Sequence, residues 1–324
     1  MRNLVKVRNL NVKFVTRDRT IHAVSGVDFD LANGEVLCIL GESGSGKSVT
    51  LRALMRLNPP SRTVMAGTVE VGGHNIVSVS ERQMENIRGR EVSMIFQEPM
   101  TALDPVFTIG QQITETVICH EGATKAEAHQ RARDLLDLVQ IPSAERRLAA
   151  YPHELSGGLR QRAMIAIALS CRPKLLLADE PTTALDATVQ IQILLLLRRL
   201  QQEMGMGVII VTHDLGVAGE IADRIAVMYG GRFVETGTVR DVMRHPLHPY
   251  SQGLLGATVH AGLRGQRLTT IPGAPPSLET PPPGCAFAAR CDFAEPACKQ
   301  SLPDFCGSET HQARCIRLAE AIPC

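Results

Sequence analysis

The residues best suited to chemistry form a glycine-rich loop, GESGSGKS, from Gly41 to Ser48. It matches G-x-x-x-x-G-K-[ST], a pattern in which inward-facing backbone N–H groups and a helix N-terminus surround phosphate oxygens. We predict that Lys47 reaches the β- and γ-phosphates of a nucleotide and that the Ser48 hydroxyl binds Mg²⁺. A simple glycine-rich turn is disfavoured because a predicted strand precedes the loop and a predicted helix follows it. The predicted nucleotide-binding residues here are Gly41, Ser43, Gly44, Gly46, Lys47, Ser48 and Val49.

Two carboxylates end a second apolar run, LLLADE, from Leu175 to Glu180. In open α/β sheets, ligands bind at the carboxyl ends of the strands. We expect Asp179 to hold the Mg²⁺ shell and Glu180 to act as general base on the attacking water. An isolated acidic pair often only begins a loop, but a phosphate loop needs a partner of this kind.

The elements that must position these residues alternate between strand and helix. GEVLCIL (34–40), KLLLADEP and GVIIVTHD are short apolar runs, and the helical pattern TVQIQILLLLRRLQQEM separates the last two. Residues 101–170 read as mostly helical, and AVMYGGRFVETGTV predicts a hairpin that turns at Gly230 and Gly231. This order predicts an α/β fold with a parallel sheet and a helical insertion.

Composition narrows the classes of function. The chain has 324 residues, 44% hydrophobic and 21% charged, which is typical of a globular protein, and a net charge of +1 gives no reason to expect a nucleic-acid partner. The most hydrophobic stretch, Ile191 to Leu197, is only seven residues long, far shorter than the roughly 20 residues of a membrane span. The first residues lack a signal-peptide pattern, so we expect a cytoplasmic protein. In that reducing compartment, the nine cysteines favour thiols or metal ligands over structural disulfides.

Further motifs occur in the order typical of the ATP-binding cassette (ABC) family. They are MIFQEP with Gln97, LSGGLRQR from Leu155 to Arg162, TALD from Thr183 to Asp186, and IIVTHD with His213. On these motifs the chain resembles that family over about residues 4–237, which implies a P-loop NTPase fold with a helical subdomain at about 98–160. Leu159 replaces the glutamine of the commonest signature motif, a departure that resembles the peptide-importer members.

The resemblance implies how two subunits share the nucleotide. Ser156, Gly157 and Gly158 would present N–H groups and a hydroxyl to the γ-phosphate of ATP held by the opposite subunit. Two such chains would therefore close head to tail over two nucleotides. The partner is expected to be a related second ATPase, and a second copy of this chain is the alternative.

Three single residues also acquire roles from the resemblance. Gln97 would sense the γ-phosphate and Mg²⁺ and contact the membrane subunit, and His213 would contact the γ-phosphate as a catalytic residue. Phe14 lies where the family stacks an aromatic ring on adenine, with core packing as the alternative. Without the other motifs, Gln97 and His213 would read as a plain loop residue and a strand-end residue.

The segment RHPLHPYSQGLLGA, Arg244 to Ala257, resembles the one that follows the cassette in ATPases of oligopeptide, dipeptide and nickel importers. This implies the ATPase of a bacterial importer of di- or oligopeptides, peripheral to the cytoplasmic face of the inner membrane. Two integral membrane permeases and a periplasmic or lipid-anchored substrate-binding protein would be its partners. The alternatives are a nickel or haem importer, a soluble ABC ATPase, and a metal-binding regulator with a vestigial cassette.

Six cysteines lie in the last forty residues, after the proline-rich segment 271–284. The family's four tail cysteines correspond to Cys285, Cys291, Cys298 and Cys315, which the resemblance implies as ligands of a [4Fe–4S] cluster. Zinc and unligated thiols are the alternatives. Zinc's usual close cysteine pairs are absent. Unligated thiols are disfavoured because a tail with few large apolar residues needs a cross-link or a metal to fold. Cys306 and Cys324 fall outside the pattern.

We therefore predict three parts. They are an ABC ATPase domain at 1–245, a linker region at 246–284 and a cysteine-rich metal-binding tail at 285–324.

Overall fold

The computed structural model describes residues 3–183, 185–257 and 270–319 of the chain. The strands in these ranges are β1 (Asn3–Val15), β2 (Thr20–Ala32), β3 (Val36–Leu40), β4 (Thr63–Val71), β5 (His74–Asn75), β6 (Val92–Ile95), β7 (Leu175–Asp179), β8 (Gly207–Thr212), β9 (Arg224–Tyr229), β10 (Arg232–Thr238), β11 (Cys306–Ser308) and β12 (His311–Ala313).

The helices of the same ranges include none long and apolar enough to cross a membrane. They are α1 (Lys47–Ala53), α2 (Glu81–Ile87), α3 (Pro99–Ala102), α4 (Ile109–Glu121), α5 (Lys125–Leu138), α6 (Ala144–Leu148), α7 (Gly157–Leu169), α8 (Ala187–Met204), α9 (Leu215–Ile221), α10 (Val239–Arg244), α11 (Pro249–Gly256) and α12 (Ile316–Ala319), with 3-10 turns at Pro152–Glu154, Ala288–Arg290 and Pro296–Lys299.

The chain forms two compact units. The first comprises the residues up to Val5, Leu31–Val36 and Glu70–Ile210, and the second comprises Lys6–Asp30, Leu37–Val69 and the residues from Val211 onward.

The second unit is built on a sheet with the strand order β11-β12-β10-β9-β3. β3 pairs in parallel with β9, and β9 pairs antiparallel with β10. The predicted hairpin is confirmed: Tyr229 faces Arg232 across Gly230 and Gly231, whose φ angles of 56° and 77° suit glycine. An added Cβ on Gly230 would lie 2.8 Å from the Cβ of Ala286, so the turn also lets the C-terminal residues approach closely.

The C-terminal residues complete this same unit. β12 pairs antiparallel with β10, with Glu235 opposite Ala313. The proline-rich segment runs beside β2, where the N–H of His22 donates to the carbonyl of Leu278 (2.8 Å). Phe287 is buried in one apolar cluster with Leu40 of β3 and residues of β9.

In the first unit, β8-β7-β6 is the strand order, and β6 and β7 are parallel. The helices α4 and α5 begin with capping boxes at Thr108 and Thr124, in which side chain and backbone satisfy each other's hydrogen bonds. The predicted helical character of 101–170 and the predicted helix that became α8 are confirmed.

One helix is shorter than its pattern predicts. The spacing of apolar residues predicts a helix from Lys47 to Leu57, but α1 ends at Ala53. Arg56 has a φ of 50°, and the N–H of Leu57 donates to the carbonyl of Arg52 (2.9 Å), so a left-handed residue ends the helix early.

Candidate functional site

The predicted phosphate loop lies in the second unit, between β3 and α1. Every residue of β3 is buried, so the strand fixes the start of the loop. Lys47 is 4% exposed, and its Nζ donates hydrogen bonds to the carbonyl oxygens of Gly41 (2.7 Å) and Glu42 (2.9 Å). The loop therefore curls around the lysine ammonium, which gives an anion a concave, positively charged binding surface.

Close backbone contacts explain two of the loop's glycines. A Cβ on Gly46, where φ is 105°, would lie 2.4 Å from the carbonyl oxygen of Ala23. A Cβ on Gly41 would lie 2.2 Å from the carbonyl oxygen of Met228. Both neighbours are backbone atoms of strands, Ala23 in β2 and Met228 in β9, so a larger residue would displace the loop.

The outer part of the loop is more accessible than its base. Ser43 and Gly44 are exposed, while Ser48 and Val49 are half-buried at the start of α1. The predicted loop residues are thus brought together by the local fold.

Two further predicted residues lie in the second unit. His213 directly follows β8 and is exposed. The next residue, Asp214, caps α9 by accepting the N–H groups of Gly216 and Val217, which fixes the turn that carries His213. Phe14 is half-buried in β1. Contacts of His213 and Phe14 with a nucleotide stay predictions.

The first unit carries the acidic strand end. All of β7 is buried, and Asp179 at its end is 0% exposed. Glu180 comes next, and one of its oxygens, Oε2, accepts hydrogen bonds from Gln97 Nε2 (3.1 Å) and Thr183 Oγ1 (3.0 Å). The structure thus brings together the predicted base Glu180 and the predicted sensor Gln97.

The backbone of Glu180 is strained. Its φ of 46° lies in the left-handed region, which residues other than glycine rarely adopt. Such a conformation costs about 1–3 kcal/mol and persists where neighbouring groups hold it, often at functional sites. The two hydrogen bonds to Oε2 hold this carboxylate in a defined position.

The predicted signature residues begin α7 in the first unit. Ser156 is the N-cap, and its Oγ accepts the N–H of Leu159 (3.4 Å). Ser156 and Gly157 are exposed, so a second molecule can reach them. A Cβ on Gly158 would lie 2.9 Å from Val189 Cγ1 of α8, which explains the glycine. Of the TALD motif, Asp186 caps α8, and Ala184 lies outside the described residues.

The four tail cysteines predicted as ligands line one small cavity in the second unit. Cys285, Cys291, Cys298 and Cys315 surround a space of about 20 Å³, together with His248 and Phe287. Burial, together with a smaller contribution from the other three thiols, raises the pKa of Cys285 to about 11. Four thiols around one space suit a thiophilic metal group.

Among the described residues, no three His, Cys, Asp or Glu side chains form a group that could hold a metal ion as they stand. Cys306 does not line the cavity and is disulfide-bonded. This corrects the expectation that the cysteines are thiols or metal ligands rather than structural disulfides. Cys324 lies outside the described residues.

One buried acid was missed by sequence reasoning. Glu235 in β10 is 0% exposed, and its carboxylate accepts the N–H groups of Leu247 (2.9 Å) and His248 (2.8 Å). His311 Nε2 of β12 lies 2.8 Å from Glu235 Oε1, the same oxygen that accepts the N–H of Leu247. The strand pattern FVETGTV gives no local signal that this glutamate joins three segments of the C-terminal half.

Comparison with protein families gives two matches. Residues 24–183 match the ABC transporter family, and residues 234–298 match the family described as oligopeptide/dipeptide transporter, C-terminal region. The second match covers the segment from Arg244 to Ala257, the proline-rich segment 271–284 and three of the four tail cysteines.

Individual proteins are similar over almost the whole chain. A putative peptide import ATP-binding protein of Brucella ovis is 49% identical over 98% of both chains. The dipeptide transport ATP-binding protein DppD of Bacillus subtilis is 47% identical over 97% of this chain and 95% of its own.

Solved structures give the same fold. The ATP-binding cassette MJ0796, in a dimeric post-hydrolysis state bound to ADP and Pi, is 31% identical, with a TM-score of 0.65 over 73% of this chain and 99% of its own. This likeness confirms the predicted α/β cassette fold.

Proposed function

Because this chain belongs to the ABC transporter family and carries that family's oligopeptide/dipeptide C-terminal region, we propose that it is the ATP-hydrolysing subunit of a peptide importer. The observation that carries the proposal is the Glu180 carboxylate, which Gln97 and Thr183 hold at the end of a buried strand. A carboxylate fixed in this way suits a general base.

The residues divide the chemistry between them. Lys47 and the loop N–H groups bind the β- and γ-phosphates, and His213 contacts the γ-phosphate. Ser48, Gln97 and Asp179 would hold Mg²⁺, which would supply neutralisation of the phosphate charge. Glu180 takes a proton from the attacking water.

Adenine and the second subunit complete the site. Phe14 stacks on adenine. Ser156, Gly157 and Gly158 bind the γ-phosphate of the nucleotide in a second, related ATPase subunit, and the exposure of Ser156 and Gly157 supports this role. Closure of the two subunits then drives the membrane subunits between their conformations.

The membrane partners have a candidate surface in the first unit. Phe96, Met100, Val106 and Phe107 are large apolar side chains that remain exposed around α3, directly after β6. Exposed apolar side chains in one segment mark a contact surface. We assign it to two integral permease subunits, which place the protein on the cytoplasmic face of the inner membrane and receive peptide from a substrate-binding protein.

Purification from native membranes tests the proposal. The tagged chain should co-purify with two integral membrane proteins and a second ATPase, identified by mass spectrometry. The purified assembly, reconstituted in liposomes, should take up labelled di- or oligopeptides only with ATP, and Lys47→Ala should abolish uptake. Uptake of nickel or haem without peptide would favour those importers, and recovery without membrane proteins would reject import altogether.

We also propose a [4Fe–4S] cluster in the tail, with zinc as the alternative. The four cysteines around one cavity support this proposal. By cross-linking them, the cluster would stabilise the fold of a segment with few large apolar residues. Anaerobically purified protein should contain iron and sulfide and absorb at about 400 nm, and Cys291→Ser should remove the band. Colourless, zinc-loaded protein would reject the cluster.

The division of the chain follows from these roles. We propose an ATPase domain at 1–245, a connecting segment at 246–284 and a tail at 285–324.

A further inference from the structure

The C-terminal residues hold the phosphate loop directly, at Glu42. The N–H of Glu42 donates to Tyr250 Oη (2.9 Å), in the segment after the cassette. The Glu42 carboxylate accepts two hydrogen bonds from Arg290, one from Nη1 (2.8 Å) and one from Nη2 (3.2 Å). Both the backbone and the side chain of the loop's second residue are therefore bound by residues more than 200 positions away.

Arg290 is rigidly placed for this contact. Its side chain is 6% exposed, and it donates further hydrogen bonds to the carbonyls of Ile271 (3.1 Å) and Pro272 (2.8 Å) and to Tyr229 Oη (3.1 Å). Its guanidinium carbon lies 5.9 Å from the centre of the Phe287 ring. A paired, two-pronged arginine with satisfied donors is a strong and directional anchor.

The contact between Arg290 and Glu42 matters for nucleotide binding because Glu42 is negatively charged. Glu42 places a carboxylate inside a loop whose ligand carries several negative charges. Its side chain is only 26% exposed, so water screens it incompletely. An arginine bonded to both oxygens cancels that charge and fixes the carboxylate away from its other rotamers.

We propose that Arg290 is a positioning residue for ATP, which neutralises Glu42 and, with Tyr250, holds the start of the phosphate loop in its binding shape. The inference rests on the proposed function, because it assumes that this loop binds ATP. It assigns the C-terminal segment a part in nucleotide affinity, separate from any metal that the tail carries. Arg290 is also the residue before Cys291, so a disturbance of the cysteine cavity has a short covalent path to the loop.

The test measures the Kd of the purified full-length chain for a fluorescent ATP analogue with Mg²⁺. Arg290→Gln should weaken binding about tenfold, as expected for losing a charged hydrogen-bonded partner. Arg290→Lys should recover part of the loss. Glu42→Gln should bind within about threefold of the unmodified chain, and the double variant Glu42→Gln/Arg290→Gln should bind as Glu42→Gln does, because no unpaired carboxylate remains.

Arg240→Gln is the matched control, since Arg240 is an exposed arginine of α10 in the second unit and does not line the cysteine cavity. It should leave the Kd unchanged. Melting temperatures of all variants separate loss of fold from loss of affinity.

Unchanged affinity in Arg290→Gln, or failure of the double variant to recover, would overturn the inference. If Arg290→Gln does not fold, a Glu42→Gln variant with more than tenfold weaker binding would overturn it instead. An unmodified chain that binds no ATP would reject the proposed function rather than this inference.

Discussion

Replacing Glu180 by glutamine separates the binding of ATP from its hydrolysis. The hydrogen bonds that Gln97 and Thr183 donate to the Glu180 carboxylate end on the same oxygen, Oε2. An amide oxygen in that position accepts both, so Glu180→Gln keeps the local geometry at a cost below about 1 kcal/mol. It removes the basic oxygen that takes the proton.

The expected magnitude follows from general-base catalysis. A positioned base contributes about 10²–10⁴-fold to rate, which corresponds to about 2.7–5.4 kcal/mol of activation free energy. Steady-state ATP turnover of the assembled importer should therefore fall by at least about 100-fold, while the Kd for ATP stays within about threefold.

Turnover is measured by phosphate release, and affinity by a fluorescent nucleotide. Glu85→Gln, an exposed acid of α2 in the same unit, is the control and should change neither quantity. Turnover above about a tenth of the unmodified value would refute Glu180 as the base. A tenfold loss of affinity would instead show that the carboxylate is needed to shape the site.

Three other outcomes are expected. Gly46→Ala should abolish ATP binding, because its Cβ would lie 2.4 Å from the carbonyl oxygen of Ala23; equilibrium binding with the fluorescent nucleotide checks this. Glu235→Ala should destabilise the protein by about 3–5 kcal/mol, because the N–H groups of Leu247 and His248 lose their acceptor, and the melting temperature reports the loss. In native protein at pH 8, iodoacetamide should label the exposed Cys119 and spare Cys38, which is buried with a pKa raised to about 12, as peptide mass spectrometry will show.

The features that could be predicted from the sequence are local ones. The phosphate loop follows from glycines at fixed offsets between an apolar strand and a helix, and the β9–β10 hairpin follows from Gly230 and Gly231. The end of α1 could not be predicted, because Arg56 adopts a left-handed conformation that residues of its type seldom show.

Contacts between residues far apart in the sequence could not be predicted for a different reason. Glu42 and Arg290 are 248 positions apart, and although they lie beside the motif residues Gly41 and Cys291, neither motif indicates that the two residues meet. Glu235 reads as an ordinary polar strand residue, yet its side chain is fully buried. Such pairs are specified only when the sheet and the C-terminal segment pack together, so one sequence read alone gives no sign of them.

The pairing of β12 with β10 sets an order of events during synthesis. Glu235 emerges from the ribosome 76 residues before His311, its partner in the folded protein. At about 5–20 residues per second, that interval lasts about 4–15 s. During this time β10 has an unpaired edge and a carboxylate without its histidine, a state open to mispairing with other strands. The edge of β10 is therefore covered only after β12 has been made, so a chain that terminates before β12 keeps a strand edge through which it can aggregate.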